Sequence, residues 1–441
     1  MPIIEPSVRR QAEALLRFID ASPSPWHAAT TMAEWLEEEG FQGLDERDPW
    51  SLEANGRYYV MRDDSSLIAF IPGEEPLESA GFRIVGAHTD SPGLRLKPQP
   101  AETADPMLRL GVEIYGSPIL ATWTDRDLSL AGRVALRSDP PTVCLVDLET
   151  PRLRLPNLAI HMNRRVNEEG LKLDKQSELP LLCKNLENEL PPGRQFSELL
   201  AAELDCDPDS ISGWELNVYD TQRGTIWGTE EEFIASARLD NLASCHAALS
   251  ALLAGDSSAG TRVCALFDHE EVGSESFKGA AGAFLPDVLT RIAASMGLDE
   301  ISRRQALAGS YLISADMAHA YQPNFPKGYD PGHKVAVNRG PVIKTNANLR
   351  YTTEAFSQAL FTGWCEEAGV PWQQYAHRTD LPCGSTIGPM TSASLGVRSI
   401  DVGNPLWAMH SIRESAGVVD HSYLIKVLEC FFACPSISVN G

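Results

Sequence analysis

Five places in this 441-residue sequence carry histidines and carboxylates of the types that hold divalent metals: His88-Thr89-Asp90, Asp240, His269-Glu270-Glu271, Asp316 and His410. Each follows a short apolar run with the texture of a strand, at residues 84–87, 233–239, 263–268, 311–315 and 400–403 respectively. Ligands of open α/β sheets bind beyond the carboxyl ends of the strands, so the five clusters are expected to converge. Two imidazoles, one per ion, with three carboxylates around them suit zinc-like coordination by nitrogen and oxygen. A carboxylate bridging ions about 3.5–4 Å apart is the usual device of two-metal hydrolytic sites. Asp90, two residues past His88, can accept the spare imidazole N–H and so belongs with the catalytic group. Of the adjacent Glu270 and Glu271, one binds metal and the other stays free to take a proton from the bound water.

These residues need a scaffold, and the sequence outlines one. Apolar residues recur at helical spacing over residues 8–19, with prolines beyond, and a second helix is expected over 26–40. Short β-rich runs follow at 58–61, 67–71 and 83–87. From 93 to 230 the texture changes: candidate strands at 108–114, 128–136 and 143–148 alternate with prolines, and helical periodicity returns only at 196–204. Residues 163–192 are polar and poorly periodic, which predicts an extended arm or interface loop. After Glu232 strands alternate with helices, including an Ala/Leu helix over 242–253 that stops at Gly255 and helices over 356–367 and 418–432. The expected fold class is α/β: residues 1–92 and 231–441 form a discontinuous three-layer domain around a central, mostly parallel sheet, interrupted by a β-rich domain of residues 93–230.

Composition narrows the functional classes. Against 60 Asp+Glu stand 37 Lys+Arg, a net charge of −23 that argues against nucleic acid and anionic membrane surfaces as partners. No apolar run approaches the roughly 18 residues of a membrane span, and the opening Met1-Pro2-Ile3-Ile4-Glu5-Pro6 has neither the basic nor the apolar region of a secretory signal. The nine cysteines are odd in number and form no Cys-x-x-Cys pair, as expected of a reduced, cytoplasmic protein.

The clusters read in order resemble the signature blocks of the aspartyl aminopeptidase family, dinuclear zinc enzymes. The blocks are His88-Thr89-Asp90-Ser91-Pro92, Arg238-Leu239-Asp240-Asn241, His269-Glu270-Glu271-Val272-Gly273-Ser274, Ser314-Ala315-Asp316-Met317-Ala318-His319-Ala320 and Met409-His410-Ser411-Ile412-Arg413-Glu414. The resemblance covers nearly the whole chain. It implies that His88 and His410 each bind one of two zinc ions, that Asp240 bridges them, that Glu271 and Asp316 complete the coordination, and that Glu270 is the general base. Co2+ or Mn2+ can substitute, since they share these ligands. It further implies hydrolysis of peptides bearing N-terminal Asp or Glu by a metal-bridging hydroxide, a β-rich lid and dimerisation domain over residues 93–230, and self-association of homodimers into a dodecamer. Lys344, in Gly340-Pro341-Val342-Ile343-Lys344-Thr345-Asn346, falls in a segment similar to the family's substrate pocket. His161 falls in a lid block that, in the family, reaches the partner subunit's active site.

Taken alone, Lys344 reads as a surface lysine and His161 as a surface or interface histidine. His27, His246 and His421 lie in helical patterns and read as structural, while His269, His319, His333, His377 and Cys383 carry no assignment. Two other readings compete: a two-zinc hydrolase of other amides or a broader peptide set, and a catalytically silent, metal-stabilised assembly protein. A carboxylate left free beside the metals has no use in the latter.

Overall fold

Alternate residues of the strand Phe82–His88 enter two different cores: Phe82 and Ile84 face one, Val85 and Ala87 the other. The strand Thr261–Phe267 does the same, with Cys264 and Leu266 opposite Val263, Ala265 and Phe267. A strand apolar on both faces must be covered on both, and each such side chain removed from water stabilises the fold by about 1.5–3 kcal/mol. Helices Pro6–Asp20, Leu239–Ala254 and Val418–Ala433 supply the first cover, and helices Phe284–Ser295 and Ile387–Leu395 the second. The three layers follow from that pattern. These elements belong to a computed structural model that describes residues 4–186, 190–255, 258–435 and 437.

The sandwiched sheet has nine strands, in the order Gln42–Gly43, Tyr58–Arg62, Ser66–Ile71, Thr261–Phe267, Phe82–His88, Tyr311–Ala315, Arg398–Gly403, Val342–Thr345 and Gln373–Ala376. The four strands from Thr261–Phe267 to Arg398–Gly403 run parallel, and the strands flanking them on either side are antiparallel. Five of the eight pairings in this sheet are parallel, in agreement with the expected mostly parallel sheet.

Within residues 93–230 a six-stranded antiparallel sheet runs in the order Thr142–Asp147, Leu128–Leu136, Ile211–Asp220, Gly93–Ala104, Met107–Tyr115 and Leu181–Asn185, over a core of its own with helix Pro192–Leu204. Three of these strands escaped the sequence reading, the edge strand Leu181–Asn185 among them. Gly93–Ala104 carries Pro98 and Pro100, but its pairing skips from Leu96 to Ala101, so the prolines sit where no ladder hydrogen bond is required. Ile211–Asp220 is likewise a full strand, paired along its length with Leu128–Leu136. The expected arm at 163–192 is largely exposed, but it contains a one-turn helix, Val166–Glu169, and the edge strand Leu181–Asn185; residues 187–189 lie outside the described residues, as do 1–3 of the N-terminal block.

A third sheet of five short strands corrects the expected placement of two clusters. Its order is Thr225–Trp227, Phe233–Ser236, Glu414–Gly417, Pro405–Trp407 and Ala318–His319. The strand before Asp240 stops at Ser236 instead of running to Leu239, and the loop carrying His410 follows Pro405–Trp407 rather than Arg398–Gly403. Strands this short have no readable period, which is why one sheet edge was expected where two sheets cooperate.

Candidate metal centre

His88 ends the central strand Phe82–His88, Glu270 and Glu271 follow the neighbouring strand Thr261–Phe267, and Asp316 follows Tyr311–Ala315 on the other side. Asp240 and His410 arrive from the small third sheet. The chain turns through the left-handed region at Arg238 (φ 56°), His269 (φ 70°) and His410 (φ 67°), one beside each cluster it delivers. Each such conformation costs on the order of 1 kcal/mol and persists only where the surroundings hold it. The approach at Asp316 is close as well: a Cβ at Gly403 would lie 1.7 Å from the Asp316 carbonyl oxygen, so only glycine fits there.

The donors then meet. His88 Nε2 lies 3.5 Å from Asp240 Oδ1 and 3.7 Å from Asp316 Oδ1. His410 Nε2 lies 3.6 Å from Asp240 Oδ2 and 3.5 Å from Glu271 Oε1. These are too long for hydrogen bonds. Two donors each about 2.0–2.2 Å from one tetrahedral zinc stand about 3.3–3.6 Å apart, so the spacings fit ligand pairs of a shared ion. Asp240 is buried and turns one oxygen to each histidine, and its Oδ1 has no hydrogen-bond partner. His88-Asp240-Asp316 and Asp240-Glu271-His410 each gather their donor atoms within 4.8 Å, as do His88, Glu270 and Glu271. The nitrogen and oxygen donor set and the orphaned Asp240 oxygen both fit divalent zinc.

The other ring nitrogens are spoken for. His88 Nδ1 lies 3.0 Å from the main-chain oxygen of Asp90 and 3.4 Å from its carboxylate. The Asp90 carboxylate chiefly serves the next loop: it accepts the N–H groups of Glu270 and Glu271, both at 3.1 Å, and the Tyr115 hydroxyl at 2.7 Å. His410 Nδ1 meets the carbonyl of Ser117 at 3.1 Å, so a loop of the inserted segment 93–230 orients this ring. Such contacts fix which nitrogen faces the cluster.

Burial raises the Glu270 carboxyl to about 8, with His88 opposing and Asp316 adding to the shift, and holds Glu271 well above the usual carboxylate range, with Asp240 adding to it. Burial alone would lower His88, yet Asp240, Asp316 and Asp90 hold it well above its ordinary value. Asp316 goes the other way despite its burial, because Lys344 and His88 stand beside it. Carboxylates gathered at this density call for cations.

Lys344 is buried, with Nζ 3.3 Å from Asp316 Oδ2 and 3.2 Å from the Met317 carbonyl oxygen, so the surface reading of this residue does not hold. His161 is exposed on a turn of the inserted segment and forms no hydrogen bond or ion pair with the cluster among the described residues. Of the unassigned histidines, His269 pairs with Ser276 Oγ, His333 with Asp330 and His377 with the Tyr375 hydroxyl, and half-buried His319 packs against Tyr375 and His377. His246 and His421 form a buried pair between two helices, and His27 bonds to Ser24. Cys245, Cys264 and Cys365 are buried free thiols. Sequence reasoning missed Tyr115, Ser117 and Glu414. The last stands in a quoted block, four residues past His410, and that spacing was the available signal.

Comparison with known proteins agrees with this geometry. Residues 18–432 match the family model described as aminopeptidase I zinc metalloprotease (M18). The chain is 48% identical over 428 residues to the probable M18 family aminopeptidase 2 of Ectopseudomonas mendocina (strain ymp), covering 96% of this chain and 98% of that protein. A chain in the cryo-EM structure of the Ape4 and Nbr1 complex superimposes with a TM-score of 0.93 at 39% identity, over 97% of this chain and 86% of that one. The S. cerevesiae mApe1 dodecamer gives a TM-score of 0.84 at 27% identity, over 97% of each chain. No helix among the described residues is long and apolar enough to cross a membrane. The chain belongs to the M18 family of zinc aminopeptidases.

Proposed function

We propose that this aminopeptidase removes N-terminal acidic residues, Asp and Glu, from peptides at a centre of two zinc ions. The observation that carries the reading is the division of Asp240, one carboxylate oxygen toward each histidine. His88 and Asp316 complete one donor set around it, and Glu271 and His410 the other. When bound, zinc polarises the scissile carbonyl and lowers the pKa of water to near 7; cobalt or manganese can occupy the same donors.

The rest is work for the chain's own residues. Glu270, with Oε2 3.9 Å from His88 Nε2, takes the proton of the attacking water and passes it to the leaving amine. Asp90 steadies it through the main-chain N–H. Lys344 has three N–H donors and spends two on Asp316 and Met317, which leaves one for the side-chain carboxylate of the substrate. Residues 93–230 serve as lid and dimerisation domain, with His161 acting in the partner's site. Leu158, Ile160 and Met162 are 62%, 47% and 75% exposed around it, as suits a surface that meets a second copy. The dodecameric relative supports assembly of such dimers into a dodecamer.

The test is turnover of chromogenic Asp-, Glu- and Leu-amides before chelation, after it, and after zinc is returned. Acidic amides should be cleaved fastest, and chelation should abolish the activity until zinc is restored. Equal or faster cleavage of the Leu-amide overturns the acidic preference, and turnover that survives chelation overturns the metal centre.

A further inference from the structure

In the five-stranded sheet the strand Glu414–Gly417 lies between Phe233–Ser236 and Pro405–Trp407, with Glu414 opposite Ser236 and Ser415 opposite Trp407. Its two neighbours deliver the two ligands that reach the centre from outside the main sheet: Asp240 comes four residues after Ser236, His410 three after Trp407. Both connections leave the sheet through left-handed residues, Arg238 on one side and Ala408 (φ 55°) and His410 on the other. Neither conformation is what these residues adopt by themselves.

The side chain at the head of the middle strand reaches both. Glu414 is 2% exposed. Its Oε1 accepts the N–H of His410 at 2.7 Å and its Oε2 accepts the N–H of Asp240 at 2.9 Å. One carboxylate therefore spans the two loops whose donors, His410 Nε2 and Asp240 Oδ2, stand 3.6 Å apart. A glutamine could accept only one of these N–H groups, because its NH2 would oppose the other. An aspartate keeps both acceptors but is one methylene too short to span them.

We propose that Glu414 is a positioning residue for the half of the centre formed by Asp240, Glu271 and His410: by holding the Asp240 and His410 main chains on one carboxylate, it sets their separation and thereby the affinity of that half for its ion. The inference rests on the ligand set proposed above. Asp90 makes a comparable clamp on the main chains of Glu270 and Glu271, so the half that holds Glu271 rests on two buried carboxylates. Unlike a general stabiliser of the fold, Glu414 bears on one ion more than the other.

The experiment is a zinc titration of the chelator-stripped full-length chain in competition with a chromogenic chelator, for the wild type, Glu414→Gln, Glu414→Asp, His410→Ala and the His410→Ala/Glu414→Gln double variant. The wild type should take up two ions. Both Glu414 variants should bind the first ion within about threefold of wild type and the second about 10–100-fold more weakly, the size expected when the support of a ligand is removed. Activity lost at limiting zinc should return at high zinc. In the His410→Ala background the Glu414→Gln change should leave the remaining ion's affinity unaltered, since the half it serves is already broken. Glu414→Asp keeps the charge and guards against a Gln variant that fails to fold. Two ions bound at wild-type affinity in both variants overturn the proposal, as does equal weakening of both ions. A wild type that binds fewer than two ions overturns the ligand set itself, and the role of Glu414 with it.

Discussion

Lys344 Nζ stands 3.3 Å from Asp316 Oδ2, both groups buried, and this contact ties a candidate substrate-binding cation to a candidate metal ligand. The ammonium, together with the His88 imidazole, lowers the Asp316 carboxyl against the effect of its burial. A cation so placed faces two demands at once, and its removal separates them.

Lys344→Ala should lower kcat/KM for Asp-amides by roughly 10- to 1000-fold, as a desolvated charge pair is worth a few kcal/mol and each decade about 1.4 kcal/mol. Part of the loss falls on every substrate, because Asp316 loses its neighbour. The informative quantity is the ratio of Asp- to Leu-amide turnover, which should fall. An unchanged ratio assigns Lys344 to Asp316 alone.

Glu270→Gln keeps the shape of the side chain and its main-chain bond to Asp90, so metal content should stay at the wild-type level while kcat falls by about 10²–10⁴. Glu271→Gln should instead weaken binding of the ion near His410, whose Nε2 lies 3.5 Å from Glu271 Oε1. Elemental analysis alongside kinetics distinguishes the two, and the reverse pattern would exchange their roles.

His161 is exposed in the isolated chain and makes no bond to its own metal cluster among the described residues. If it completes the partner's site, His161→Ala and Glu270→Gln protomers mixed after dissociation should regain part of the activity, because some mixed dimers hold one intact site. An added donor in a water-excluded site is worth about 2.7–4 kcal/mol of transition-state stabilisation. No recovery in demonstrably mixed oligomers would leave His161 a packing residue.

The buried pair His246 and His421 predicts acid sensitivity away from the metals. Burial pushes His246 down to about 4 and His421 well below its ordinary value, with His246 adding to the shift. In the unfolded chain each takes up a proton near pH 6.5, whereas the folded pair refuses it. The stability these neutral rings contribute is thus complete above about pH 6.5 and is lost as pH falls toward 4. At pH 5.5 the effect is on the order of 1 kcal/mol for one group. His246→Gln should narrow the difference in denaturant stability between pH 7.5 and 5.5, measured at saturating zinc; an undiminished difference would assign the acid sensitivity elsewhere.

Much of this molecule is legible in its sequence. The continuously apolar strands and the helices between them give the three layers, because a strand buried on both faces must be covered on both. His88, Asp240, Glu270, Glu271, Asp316 and His410 stand out because acidic and imidazole side chains directly after apolar runs have few structural uses, and the family motifs order them. The tertiary structure alone decided that Asp240 and His410 come from a second sheet of strands too short to show a period. It also decided that Ser117, nearly three hundred residues away in sequence, orients the ring of His410, and that Glu414 holds two loops with one carboxylate. The burial of Lys344 belongs here too. These relations join main-chain atoms to side chains across long separations, and neither pattern nor composition encodes a main-chain N–H that awaits a partner from another segment. The sequence determines which atoms can bind metal, and the packing of three sheets determines the distances at which they meet.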